Sequence, residues 1–214
     1  MSGPARVALG ICVFCASASA ISDRHRDLAA AVGAELARRG HFLISGGGSV
    51  SSMGAVARGA RAGGARTVGI IPQALSGREV ADAAADELHV TEDMCARKAE
   101  MMRRADAFLT LAGGLGTLDE LLEVWTTRAL GLHRKPVVVL DPDGVFAPLR
   151  AFTGQLREQG FVRSGALEVV TWATSLAAAL DAIEQEAAAL AQARPRRATA
   201  GARVPRTDST ISSA

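Results

Sequence analysis

"AFLTLAGGLGTLDELLEVW", residues 107–125, changes character twice. Residues 107–111 are an apolar run of strand length. Gly113-Gly114-Leu115-Gly116-Thr117 is a turn with almost no side chain. From 117 to 130 the apolar residues recur at helical spacing. A strand, a glycine turn and a helix in so few residues is the opening half of a βαβ unit. The same grammar recurs along the chain. The strand-like runs are 7–14, 41–45, 66–71 (stopped by Pro72), 87–90, 107–111, 136–140 and 167–170. Helical patterns fill 23–39 (capped by Ser22 or Asp23), 53–62, 94–105, 117–130, a stretch near 145–158, and 174–193. Strands that are apolar throughout and alternate with helices imply a parallel sheet covered on both faces. The expected fold is therefore a doubly wound, Rossmann-like α/β domain over 7–193, with a short extension (1–6) before it.

Composition agrees and narrows the function. The chain has 214 residues, 49% hydrophobic, enough for one real core. Aromatics are 4% with no Tyr, which disfavours a stacking surface for nucleic acid. Net charge is +2, and residues 194–206 carry five Arg and no acid. That segment, with the rest of 194–214, reads as a disordered basic tail. No apolar run approaches a membrane span, and the first apolar stretch reads as a strand rather than a signal peptide. Three cysteines make no disulfide framework, so a reducing cytoplasm is expected.

In doubly wound sheets ligands bind beyond the carboxyl ends of the strands. The stretches 15–19, 46–54, 72–80 and 112–120 occupy those places. A glycine turn opening a helix offers free N–H groups and the positive end of the helix dipole, a site suited to phosphate. A tight turn without a ligand is the plainer alternative. A second glycine loop, "SGGGSVSSMG" at 45–54, favours a phosphorylated ligand. The G-x-x-x-x-G-K-[ST] loop is absent. The dinucleotide fingerprint fits poorly: its third glycine falls on Asp119 or Ser51, and no acid ends the strand at Ile71. A mononucleotide suits the chain better than NAD or FAD. Asp119, Glu120 and Glu123 follow the turn. Thr117-x-x-Glu120 is also a capping-box spacing, so Glu120 stands open between a helix cap and a carboxylate facing a phosphate-bound sugar.

Gly113-Gly114-Leu115-Gly116-Thr117-Leu118-Asp119-Glu120 resembles the PGGxGTxxE signature of the Lonely Guy family, phosphoribohydrolases of cytokinin riboside 5′-monophosphates once mislabelled lysine decarboxylases. "CVFCASAS" (12–19) resembles the family's CVFCGSS, "GGGSVSSMG" (46–54) its GGGxxGLMG, and "DMCARKAEM" (93–101) its MHxRKxxM. The likeness spans most of 7–172. It implies hydrolysis of the N-glycosidic bond of a nucleoside 5′-monophosphate, either a cytokinin nucleotide or AMP, to free base and ribose 5-phosphate. It implies Arg97 and Glu120 as the catalytic pair. Lys98, Glu79, Thr126, Gly113, Gly114, Gly116 and Thr117 match nucleotide-contacting positions. Ser17, Gly46, Gly47, Met94 and Asp119 complete the candidate substrate-binding set. The resemblance also implies a homodimer with the site near its interface. Ala112, Ala16, Ser51, Cys95-Ala96, Trp125 and Thr127 depart from the family pattern.

The chemistry fits those assignments. Glycosidic cleavage builds positive charge on the sugar, which a carboxylate such as Glu120 stabilises. Arg97 is a permanently charged fork donor for phosphate or carboxylate. On the helix 94–105, Met94, Met101 and Ala105 share a face, with Arg97 and Lys98 close to it. Such a stripe packs on the sheet or continues into a two-fold interface. Cys12-x-x-Cys15 lies within a strand and reads as buried thiols. His25, His41, His89 and His133 lack ligand spacing, so no metal is expected. Lys98 and Lys135, the two lysines, lack the context of a pyridoxal site. The rival from another class is a non-catalytic carrier of a phosphorylated ligand or cofactor.

Overall fold

The computed structural model describes residues 7–76 and 81–193. Seven strands form one sheet: β1 (Gly10–Phe14), β2 (Phe42–Ser45), β3 (Thr67–Pro72), β4 (Glu87–Thr91), β5 (Ala107–Thr110), β6 (Val137–Leu140) and β7 (Val170–Ala173). Every pairing is parallel, in the order β4-β3-β2-β1-β5-β6-β7. The helices are α1 (Asp23–Arg38), α2 (Ser51–Ala62), α3 (Gln73–Ser76), α4 (Met94–Arg104), α5 (Leu115–Ala129), α6 (Ala147–Glu158), α7 (Ser164–Glu168) and α8 (Leu176–Ala193).

The inner strands are apolar at consecutive positions because both their faces are covered. Ile11, Val13, Leu43 and Leu109 face α1, α2 and α8. Cys12, Phe14, Ile44, Ile70 and Phe108 face α4 and α5, where Met101, Leu121 and Val124 close the second core. Winding begins at β1, runs outward to β4, then returns to β5 on the other side of β1. The loops after β1 and β5 therefore diverge at the switch point, which is where such sheets hold ligands. Leu111 N donates to Phe14 O (2.9 Å), so the two loops leave the sheet side by side.

Some boundaries differ from the sequence expectation. Residues 7–9 precede β1 rather than belong to it. The strand expected at 167–170 lies at Val170–Ala173, and Leu167 and Glu168 end α7 instead. The register explains this. The buried Val137–Leu140 pair with Val170–Ala173, and the chain before Val170 packs Leu167 beneath the helices. Helix α5 starts at Leu115, two residues earlier than expected. Glu79, the extension 1–6 and the tail 194–214 lie outside the described residues. No helix among the described residues is long and apolar enough to cross a membrane.

Candidate functional site

Helix α4 is started by Asp93, whose carboxylate accepts from Ala96 N (2.7 Å). That start turns Arg97 inward, where it is 7% exposed. Its Nε donates to Ile70 O (3.1 Å) in the second half of β3, and Nη1 donates to Glu120 Oε1 (2.9 Å) on α5. Nη2 lies against Gly46: a Cβ there would stand 1.9 Å from it. The first glycine of the second glycine loop thus makes room for a guanidinium, a task the sequence did not reveal.

Glu120 is 8% exposed. Burial pushes its pKa above the ordinary carboxylate value, while the charge and hydrogen bond of Arg97 pull it down, and burial wins. Removing one partner of such a buried pair costs about 3–5 kcal/mol, because the other charge is left uncompensated. Below the pair, burial raises the pKa of Cys12 and Cys15 on and just after β1, and Glu120 adds to the effect. Both are neutral, buried thiols, as their place in the strand suggested.

Lys98, the next residue on α4, reaches the other two carboxylates. Its Nζ lies 2.9 Å from Asp119 Oδ2 and 2.8 Å from Glu123 Oε2. These bonds, Glu123 first, raise its pKa above the ordinary lysine value. The carboxylates beyond the turn therefore fasten α5 to α4: Glu120 through Arg97, and Asp119 with Glu123 through Lys98. Between the helices lies a cleft lined by Phe14, Lys98, Met101, Glu120, Glu123 and Val124.

The turn itself is not a capping box. Gly114 is the N-cap and makes no side-chain cap bond, Thr117 lies within the first turn of α5, and Glu120 is committed to Arg97. Thr117 is buried and folds back over Gly113, where a Cβ would meet its Oγ1 at 2.1 Å. Gly114, Leu115 and Gly116 are exposed at the helix start, so its first N–H groups face outward without a side-chain cap. An uncapped helix start of this kind is chemically suited to an anion.

The structure brings together Arg97, Lys98, Asp119, Glu120 and Gly46. Gly113, Gly114, Gly116 and Thr117 adjoin them at the start of α5. Gly47 is buried with φ 73°, and its carbonyl accepts from Asp82 N (2.8 Å). Ser17 is exposed on the neighbouring loop after β1, Met94 is exposed at the start of α4, and Thr126 is exposed on α5. Sequence reasoning passed over the ligating roles of Glu123 and the Ile70 carbonyl. Glu123 had a signal, since it lies one helical turn beyond Asp119. The carbonyl had none.

Two departures from the family pattern find physical explanations. Trp125 packs edge-on against Trp172 (centroids 6.0 Å apart), and its Nε1 donates to Ala166 O (2.6 Å). Thr127 turns its hydroxyl onto its own helix, donating to Glu123 O (2.7 Å). Both serve packing and the helix rather than the cleft.

A family model described as "Possible lysine decarboxylase" matches residues 53–183. A Mycobacterium marinum protein named cytokinin riboside 5′-monophosphate phosphoribohydrolase is 52% identical over 172 residues, covering 80% of this chain and 91% of that protein. A protein of the same name from Mycobacterium tuberculosis is 52% identical over 158 residues, covering 74% and 84%. One from Arabidopsis thaliana is 42% identical over 160 residues, covering 75% and 74%. Among solved structures, the molybdenum cofactor carrier protein of Chlamydomonas reinhardtii superposes with a TM-score of 0.65 at 24% identity, covering 85% of this chain and 99% of that one. At that identity the likeness concerns the fold alone.

Proposed function

The chain belongs to the Lonely Guy family, and on that premise we propose that it hydrolyses the N-glycosidic bond of a nucleoside 5′-monophosphate. The substrate is a cytokinin riboside 5′-monophosphate or AMP, and the products are the free base and ribose 5-phosphate. The observation that carries this reading is the buried Arg97–Glu120 pair beside an uncapped helix start.

The phosphate sits at the Gly113–Thr117 turn, held by backbone N–H groups and the dipole of α5. This places the ribose about one helical turn along, at Glu120. As the C1′–N bond lengthens, positive charge spreads over C1′ and the ring oxygen. The Glu120 carboxylate stabilises that charge and orients the water that adds to C1′. The electron pair of the broken bond leaves with the base, which takes up a proton. Arg97 holds Glu120 in place and favours its charged form against the pull of burial. Lys98 sits between Asp119 and Glu123, close enough to add a cation on the phosphate side.

We assign a homodimer as the working unit. Helix α5 carries Leu115 (86% exposed), Leu122 (43% exposed) and Thr126 outward, and α4 opens on Met94 (42% exposed). Leu122 precedes the cleft residue Glu123 on α5, so a second copy laid on this exposed apolar surface would shield the site from water and strengthen its electrostatics. Met101 and Ala105 of the same helix serve the core instead. A reducing cytoplasm is the compartment that suits the free thiols of Cys12, Cys15 and Cys95.

Comparing AMP with adenosine tests this reading. Phosphate binding is spent on positioning the sugar, so adenine is released from AMP and far more slowly from adenosine. Equal rates would remove the phosphate role from Gly113–Thr117. Binding of AMP without release of base would favour the carrier.

A further inference from the structure

Among the described residues Ser51 alone combines a side chain with positive φ, at 51°. A Cβ is strained in the left-handed region. Such strain persists where the surroundings demand the conformation. Here the demand comes from the loop after β1. The Ser51 hydroxyl donates to Ala18 O (2.6 Å), and Met53 N donates to Ala16 O (3.3 Å). The start of α2 thus collects two alternate carbonyls of that loop.

The described peptides are all trans, so each carbonyl points opposite to the N–H that follows it. With the Ala16 and Ala18 carbonyls drawn toward α2, the Ser17 and Ser19 N–H groups turn away from it. Strand β1 lies between β2, which leads into α2, and β5, which leads to Gly113-Gly114. The side away from α2 is therefore the side of the phosphate turn. Ser17 and Ser19 are exposed there, and neither N–H has a protein acceptor among the described residues.

We propose that Ser51 is a positioning residue, whose left-handed backbone and hydroxyl aim the Ser17 and Ser19 N–H groups at the phosphate-bearing part of the ligand, opposite the start of α5. The proposal rests on the nucleotide reading above and adds a second set of backbone donors to it. A glycine at this position fits the backbone without strain but leaves the Ala18 carbonyl untied.

The test uses the full chain, with AMP affinity from calorimetry and Tm measured on the same samples. Ser51→Gly relieves strain and loses one exposed hydrogen bond, so its Tm stays near the wild type. Ser51→Ala keeps the strain and loses the bond, so its Tm falls. Both free the loop, and both weaken AMP binding by about tenfold. Ser51→Asn tolerates the left-handed region and donates from its amide, so its affinity stays within about threefold of the wild type. Wild-type affinity in Ser51→Gly, or a loss confined to the variant with lowered Tm, would overturn the proposal and assign Ser51 to stability alone. A wild type that binds AMP without releasing adenine removes the hydrolase reading while the affinity series still decides on Ser51. An active wild type with an indifferent Ser51→Gly does the reverse. No AMP binding by the wild type overturns both.

Discussion

Replacing Gly46 with alanine is expected to disarm Glu120 while leaving the sheet intact. The new Cβ would stand 1.9 Å from Arg97 Nη2, and ordinary contact begins at 3.4 Å. The neighbour is the far end of a flexible side chain, so the guanidinium yields rather than the backbone. It must retreat by about 1.5 Å. A hydrogen bond of 2.9 Å to Glu120 does not survive that shift. Displacements near 1 Å at a reacting centre cost about 100-fold in rate, and that is the expected fall in kcat. The pH profile carries a second signature. Burial already raises the pKa of Glu120, and Arg97 is the first of the groups that oppose it. Lys98 opposes it less, Asp119 reinforces it, and the Cys12 and Cys15 thiols beneath are neutral. Moving Arg97 away raises the pKa further. The ionised carboxylate is the active form, so the acid limb of kcat moves to higher pH. The assay is adenine release from AMP across the acid range, with Tm as the control for folding. A folded Gly46→Ala protein with kcat within a few-fold of the wild type and an unmoved acid limb would show that Gly46 does not hold Arg97 on Glu120.

Glu120→Gln is expected to lower base release by about 100-fold or more while AMP still binds, because the lost interaction belongs to the transition state; chromatography and calorimetry on one preparation check this. Leu122→Asp places a charge in the exposed stripe of α5 and should yield a monomer of low activity; a fully active monomer in sedimentation would remove the dimer from the account. The pKa of Glu35 is lowered to about 2, first by its hydrogen bond with Arg38 and next by that with Arg39. A depressed carboxylate contributes stability that is present above its unfolded pKa and lost as pH falls toward the folded value. Tm should therefore decline from about pH 5 toward pH 2, and Glu35→Gln should flatten part of that decline.

The sheet was legible because its inner strands are apolar without alternation, the pattern of a sheet covered on both faces. The switch point followed from the glycine turns. Edge strand β7 was legible as an element but not in its bounds, since its register is set by β6 and not by local hydrophobicity. The capping-box spacing of Thr117 and Glu120 left the role of Glu120 open for a related reason. Helix α5 starts earlier, at Leu115 after the N-cap Gly114, with Thr117 folded over Gly113. The Arg97–Glu120 bond joins residues on different helices. No periodicity reports such a contact, and the family resemblance alone marked the pair. Gly46 was legible as a loop residue, but its close approach to Arg97 exists only after folding.

The most direct measurement is a product balance: AMP consumed, adenine formed and ribose 5-phosphate formed, in one time course with wild-type protein and the Glu120→Gln variant. For the wild type all three quantities are expected to agree, and the variant should form almost none of either product. AMP recovered intact, or adenosine and inorganic phosphate in place of adenine and ribose 5-phosphate, would overturn the hydrolase reading.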